Sequence, residues 1–217
     1  MIMKGYRLLP LIVAVVPSIC AAQFVRGWGV DGGVSGAYQL LSITQTGLAS
    51  SAPRAARMGF TAGIFVEFLN IPGLSFVAEA AYTQKGRKVT AEEVAASAAE
   101  TGYLSPGPAG ASLRMDYVRL AMLVKVRAWR YGFVPYAALG PRFDFLVGKA
   151  DDPGGLFRLA RKTDVGVSVA AGIEIIPRRN PVLSLEARWS PAFTRVLSPP
   201  TLTVRNQTIE ALLALWL

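Results

Sequence analysis

From Trp28 to the C-terminus, apolar and polar residues alternate with period two rather than 3.6, which predicts β-strands. The clearest stretch is 113–127. There Val118, Leu120, Met122, Val124 and Val126 form an unbroken apolar face, opposed by Tyr117, Arg119, Ala121, Leu123 and Lys125. Strand six, 163–176, sets Val165, Val167, Val169, Ala171, Ile173 and Ile175 against Gly166, Ser168, Ala170, Gly172 and Glu174. The same rhythm predicts strands at 27–44, 59–69, 74–85, 132–147, 182–193 and 203–217, eight in all. In the last, Ile209, Ala211, Leu213, Leu215 and Leu217 point outward, and Glu210, Leu212, Ala214 and Trp216 inward or toward the seam.

The connections alternate in length. Asn70-Ile71-Pro72-Gly73, Ala128–Tyr131 and Pro177–Pro181 read as tight turns, and longer polar loops lie near 45–58, 86–112, 148–162 and 194–202. Four long loops and three short turns predict an all-β fold: an eight-stranded antiparallel up-and-down transmembrane β-barrel, long loops outside and turns in the periplasm. In the longest loop, Thr90-Ala91-Glu92-Glu93 resembles a capping box ahead of a short helix over Val94–Glu100, and Ser105-Pro106-Gly107-Pro108 a flexible return.

The polar faces carry charge inside strands. Glu67, Glu79, Glu174, Glu186 and Glu210 fall opposite the apolar stripe, together with Arg119, Lys125 and Arg188. An eight-stranded bore is narrow enough for side chains to fill, so these eight are expected to neutralise one another in a structural lumen network. An inverted soluble barrel would turn them to water, but the nearly continuous outward aliphatics favour lipid. Trp28, Trp129, Tyr131 and Trp216 map near the periplasmic strand ends and are expected to form an interfacial girdle.

Composition agrees with this pattern. Apolar residues make up 52% of the 217, yet the longest apolar run, Leu8–Pro17, is broken by Pro10 and too short to span as a helix. Residues 1–22 read as a signal peptide: Lys4 and Arg7 are basic, Leu8–Val16 apolar, and Cys20-Ala21-Ala22 a small-residue cleavage site. Ile19 is bulky for lipoprotein processing at Cys20. The expected division is 1–22 signal peptide and 23–217 barrel domain, with no cysteine and no disulfide framework in the mature chain. The net charge of +9 falls to +7 once Lys4 and Arg7 are removed. Export takes nucleic acid out of reach and leaves outer-membrane lipid and lipopolysaccharide as the matching anionic partners. Scattered loop charges that merely keep the chain soluble in transit would give the same balance.

Candidate chemistry mostly falls away. There is no histidine, which closes Ser-His, Asp-His and His-metal mechanisms. Gly27-Trp28-Gly29-Val30-Asp31-Gly32 matches G-x-G-x-x-G, but a signal peptide precedes it and a strand follows, whereas a dinucleotide site needs strand then helix. Asn206-Gln207-Thr208 is a chance acceptor sequence within a strand. Asp151-Asp152-Pro153-Gly154 lacks the further ligands of a calcium loop and reads as a turn. No cofactor, metal or catalytic residue is expected.

Several segments together resemble the PorT-like outer-membrane β-barrel family, the porin family type found widely in Bacteroidetes. The carriers are Gly59–Phe65, Ala81-Tyr82-Thr83-Gln84-Lys85-Gly86, Met115–Leu120 leading to Val124-Lys125, Pro135–Pro141 and Leu185–Ser190. The resemblance covers about 25–217. It departs at Arg119, where the family commonly has an acidic residue, and at Leu217, where it usually ends on an aromatic. The resemblance implies the fold and the bacterial outer membrane but no agreed activity. The expected function is non-enzymatic, either envelope-structural or binding an extracellular or periplasmic partner through the outer loops. A narrow conduit for small solutes is the alternative, and a lipid-modifying enzyme a more distant one. The C-terminal strand resembles the signal read by the barrel-assembly machinery, an expected partner in biogenesis.

Overall fold

The computed structural model describes residues 25–43, 56–71, 73–88, 91, 109–110, 112–128, 132–150, 161–177, 181–194 and 202–217. Eight strands form one closed antiparallel barrel: β1 (Val25–Ile43), β2 (Arg57–Ile71), β3 (Leu74–Lys88), β4 (Ser112–Arg127), β5 (Gly132–Ala150), β6 (Thr163–Ile176), β7 (Leu183–Pro191) and β8 (Leu202–Trp216). Each strand pairs with its sequence neighbours, and β8 returns to β1 over a ladder from Gly29↔Trp216 to Ile43↔Leu202. Closure leaves no sheet edge, the condition for a spanning sheet in lipid.

The period-two faces fall as the sequence predicts. Val118, Leu120, Met122, Val124 and Val126 are exposed on the outer wall of β4, while Tyr117, Arg119, Ala121, Leu123 and Lys125 are buried inside. Val118 to Val126 is about 27 Å of strand, or about 21 Å along the barrel axis at a tilt of ~40°. That approaches the ~25 Å apolar band of outer-membrane barrels.

Strand ends differ from expectation. β2 starts at Arg57, β3 runs on to Lys88 and β5 to Ala150, held by pairs such as Lys88↔Ser112 and Arg114↔Ala150. Beyond the apolar belt both faces become polar, so alternation no longer marks the strand although the ladder continues. β7 is shorter than expected because Pro191 has no N–H to donate; pairing resumes only as a bridge between Gly166 and Ala192. At the first tight turn Gly73 takes φ +78°, a conformation that disfavours any side chain. The expected signal peptide, the helix after Thr90 (apart from Ala91), the Asp151–Gly154 turn, and Trp129 and Tyr131 lie outside the described residues.

Candidate functional site

The lumen gathers the charged side chains into three levels. Nearest the short turns, Glu67 and Glu174 face Arg127. Its Nη2 lies 2.6 Å from Glu67 Oε1, its Nε 2.6 Å from Glu174 Oε2, and its Nη1 donates to Ser75 Oγ at 2.8 Å. Lys125 pairs with Glu174 and stands 3.9 Å from the centre of the Tyr136 ring. Arg26 reaches Glu67 at 2.6 Å from a register shift between Val25 and Gly27, where a β-bulge redirects its side chain.

The middle level joins four strands. Arg119 on β4 forks onto Glu210 on β8, Nη1 to Oε2 at 2.7 Å and Nη2 to Oε1 at 2.8 Å. Arg188 on β7 forks onto Glu79 on β3, at 2.7 Å through each nitrogen. Arg188 also donates from Nε to Glu186, whose other oxygen accepts from the Tyr136 hydroxyl at 2.8 Å. Bidentate forks of this kind fix geometry as well as charge. Near the long connections, Lys85 meets Asp144 at 2.5 Å, Arg142 pairs with the same carboxylate, and Asp164 accepts from Thr194 and Asn206. Asn206 is thus a buried lumen residue.

All eight lumen positions read from the sequence therefore face the bore, and each takes part in at least one of these ion pairs. Sequence reasoning left out Arg26, Lys85, Arg127, Arg142, Asp144 and Asp164 from the network, and Asp31, which lines the same space. Extending the parity of Arg119 and Lys125 by one step reaches Arg127, and that of Glu79 reaches Lys85. Arg26 carried no such signal, because its bulge breaks the parity. With Arg87, buried on the parity of Lys85, the described residues place eight carboxylates and eight cations in the lumen.

Between the lower two levels the bore is apolar. Phe65, Val77, Ala121, Leu123, Ala138 and Ala170 are buried together, with Trp216 and Ala214 packed against them. Trp216 does not join the expected girdle and keeps the inward position that parity on the last strand predicts. Its indole lies inside, edge-on to Phe65 at 4.9 Å and 78°, because Leu215 and Leu217 take the outward parity. Trp28 does sit on the outer wall. Gly29 of the G-x-G-x-x-G match serves packing: a Cβ there would come 2.1 Å from Leu215 O and 2.7 Å from the Phe65 ring.

The space left at this level is a cavity of about 30 Å³ lined by Asp31, Glu79, Lys125, Glu186 and Trp216 among others, room for roughly one water. General acid/base work needs a carboxyl within reach of a bound substrate. Here Glu67, Glu79, Glu174, Glu186 and Glu210 are each held by an arginine or lysine, and the cavity admits no substrate. Among the described residues no cluster of three or more Cys, Asp or Glu could hold a metal ion.

Three solved structures are similar to this chain. Ail, the attachment invasion locus protein of Yersinia pestis in complex with the heparin analogue sucrose octasulfate, is 12% identical over 88% of this chain and 97% of its own, TM-score 0.41. Neisserial surface protein A is 15% identical over 89% and 99%, TM-score 0.45. OprG from Pseudomonas aeruginosa is 10% identical over 89% and 97%, TM-score 0.48. No curated protein matches the chain. The model of the outer membrane protein beta-barrel domain matches residues 11–213. With the closed eight-stranded wall, its apolar exterior and its charged interior, the chain belongs to that family and is a protein of the bacterial outer membrane.

Proposed function

We propose that this barrel neither conducts nor catalyses, and that it serves the envelope as a structural element or as the binder of a ligand or partner through its outer loops. The supporting observation is the filled bore: charge-paired levels above and below an apolar layer whose cavity is about 30 Å³. An ion crossing it would have to break buried pairs at a cost of several kcal/mol each. The short turns face the periplasm and the long loops the exterior, the usual orientation of such barrels. In this reading residues 1–22 are cleaved on export, the barrel-assembly machinery inserts residues 23–217, and the chain is of the PorT-like type within its family. The eight charged residues first read from the sequence act structurally, as the frame that joins the strands across the bore.

Single-channel recording of the refolded mature chain in planar bilayers tests the proposal. Silent insertion is expected. Steady unit conductance would replace it with the conduit reading, and turnover of phospholipid by the purified protein with the enzymatic one.

A further inference from the structure

The basic surplus of the described residues has a location. Among the described residues every carboxylate points into the lumen except Asp116. The outer wall, followed toward the long loops, passes through the same series on three strands. On β4 it runs Val118, Asp116, Arg114; on β3 Tyr82, Gln84, Gly86, Lys88; on β8 Ile209, Gln207, Arg205. The pairs Tyr82↔Val118, Gln84↔Asp116 and Gly86↔Arg114 put the first two series at one level. Lys149, Arg161 and Lys162 add exposed cations at the same end of β5 and β6.

We propose that this collar binds the phosphate groups of the outer-leaflet glycolipid, lipopolysaccharide, with Lys88 and Arg114 as its centre. Arg114 lies four residues past Val118, about 14 Å along the strand and about 10 Å along the axis after tilt. That height is the headgroup layer above the hydrocarbon. Both cations share the face of the lipid-contacting side chains, so they point sideways into that layer. A guanidinium beside an ammonium suits a phosphate ester, the first as a fork and the second as a point charge. Asp116 Oδ1, 3.3 Å from Arg114 Nε, partly offsets the site and provides a control of opposite sign. The proposal rests on the outer-membrane placement and loop orientation and not on the sealed bore, so a conductance result leaves it untouched.

The test uses the mature chain folded in zwitterionic detergent, with heat-modifiable gel migration confirming the fold of every variant. Wild type, Lys88→Gln/Arg114→Gln and Asp116→Asn are titrated with purified lipopolysaccharide and with the same glycolipid after enzymatic removal of its phosphates. Each cation near an anionic surface is worth about fivefold in affinity, so the double variant should bind about 25-fold more weakly. Asp116→Asn should bind more tightly, and the dephosphorylated glycolipid should not distinguish the three. Equal binding of phosphorylated glycolipid by wild type and double variant overturns the proposal. So does a double variant that loses binding of a sulfated polysaccharide while keeping that of the glycolipid, which would make the collar a polysaccharide site.

Discussion

Replacing Arg119 by leucine removes one of the two guanidiniums of the middle level while the chain can still close its barrel. Glu210 would keep one contact, the Thr83 hydroxyl at 3.3 Å, and Glu79 would keep Arg188. Charges centred about 4 Å apart attract by about 4 kcal/mol at an effective dielectric of 20. The known cost of stranding one member of a buried pair, about 3–5 kcal/mol, agrees with that figure. The middle level already holds more carboxylates than guanidiniums, since Asp31, Glu79, Glu186 and Glu210 face only Arg119 and Arg188. Arg119→Leu should therefore cost more than Glu210→Gln, which leaves Arg119 with Thr61 at 3.2 Å and Glu79 at 3.7 Å. The double variant Arg119→Leu/Glu210→Leu should recover most of the loss, because two apolar side chains need no partner. The assay is equilibrium urea unfolding in lipid vesicles, read by tryptophan fluorescence and by the fraction migrating as folded barrel. An Arg119→Leu cost below about 1 kcal/mol, or a double variant at least as unstable as Arg119→Leu alone, would refute the reasoning.

On the lipid face, Met122→Arg should destabilise by about 2–4 kcal/mol in the same assay, and Ala170→Ser on the lumen face should be mild; equal costs would undo the face assignment. Trp216→Ala should cost about 3–5 kcal/mol by emptying the space beside Phe65 and Lys125, measured as a shift of the urea midpoint at constant m-value. An unchanged midpoint would mean the indole does not seal the bore. Deleting Leu215–Leu217 removes that plug, and with it the Leu217 N–H bond to Trp28 O at 2.9 Å and the last pairs between β8 and β1. The truncated chain should be exported but degraded in the periplasm, which fractionation with and without periplasmic proteases checks; folded recovery from the outer membrane contradicts it. Leu217→Phe should assemble at least as well as the native chain.

Strand number, wall orientation and the inward set of Glu67, Glu79, Arg119, Lys125, Glu174, Glu186, Arg188 and Glu210 were legible because each depends only on parity along a strand. A side chain two residues on must face the same way, so alternation on β4 and β6 suffices to separate lipid from lumen. Strand ends were less legible, since Arg57, Lys88 and Ala150 lie where neither face is apolar. Which charges meet is a matter of three dimensions. Arg119 reaches Glu210 across the bore, 91 residues away in sequence, and Arg188 reaches Glu79 across 109. Such partnerships depend on strand tilt and stagger, quantities that no single strand encodes and that closure of all eight fixes together. The same holds for Trp216. Its parity on the last strand turns it inward, but only the closed barrel shows the space beside Phe65 that it fills.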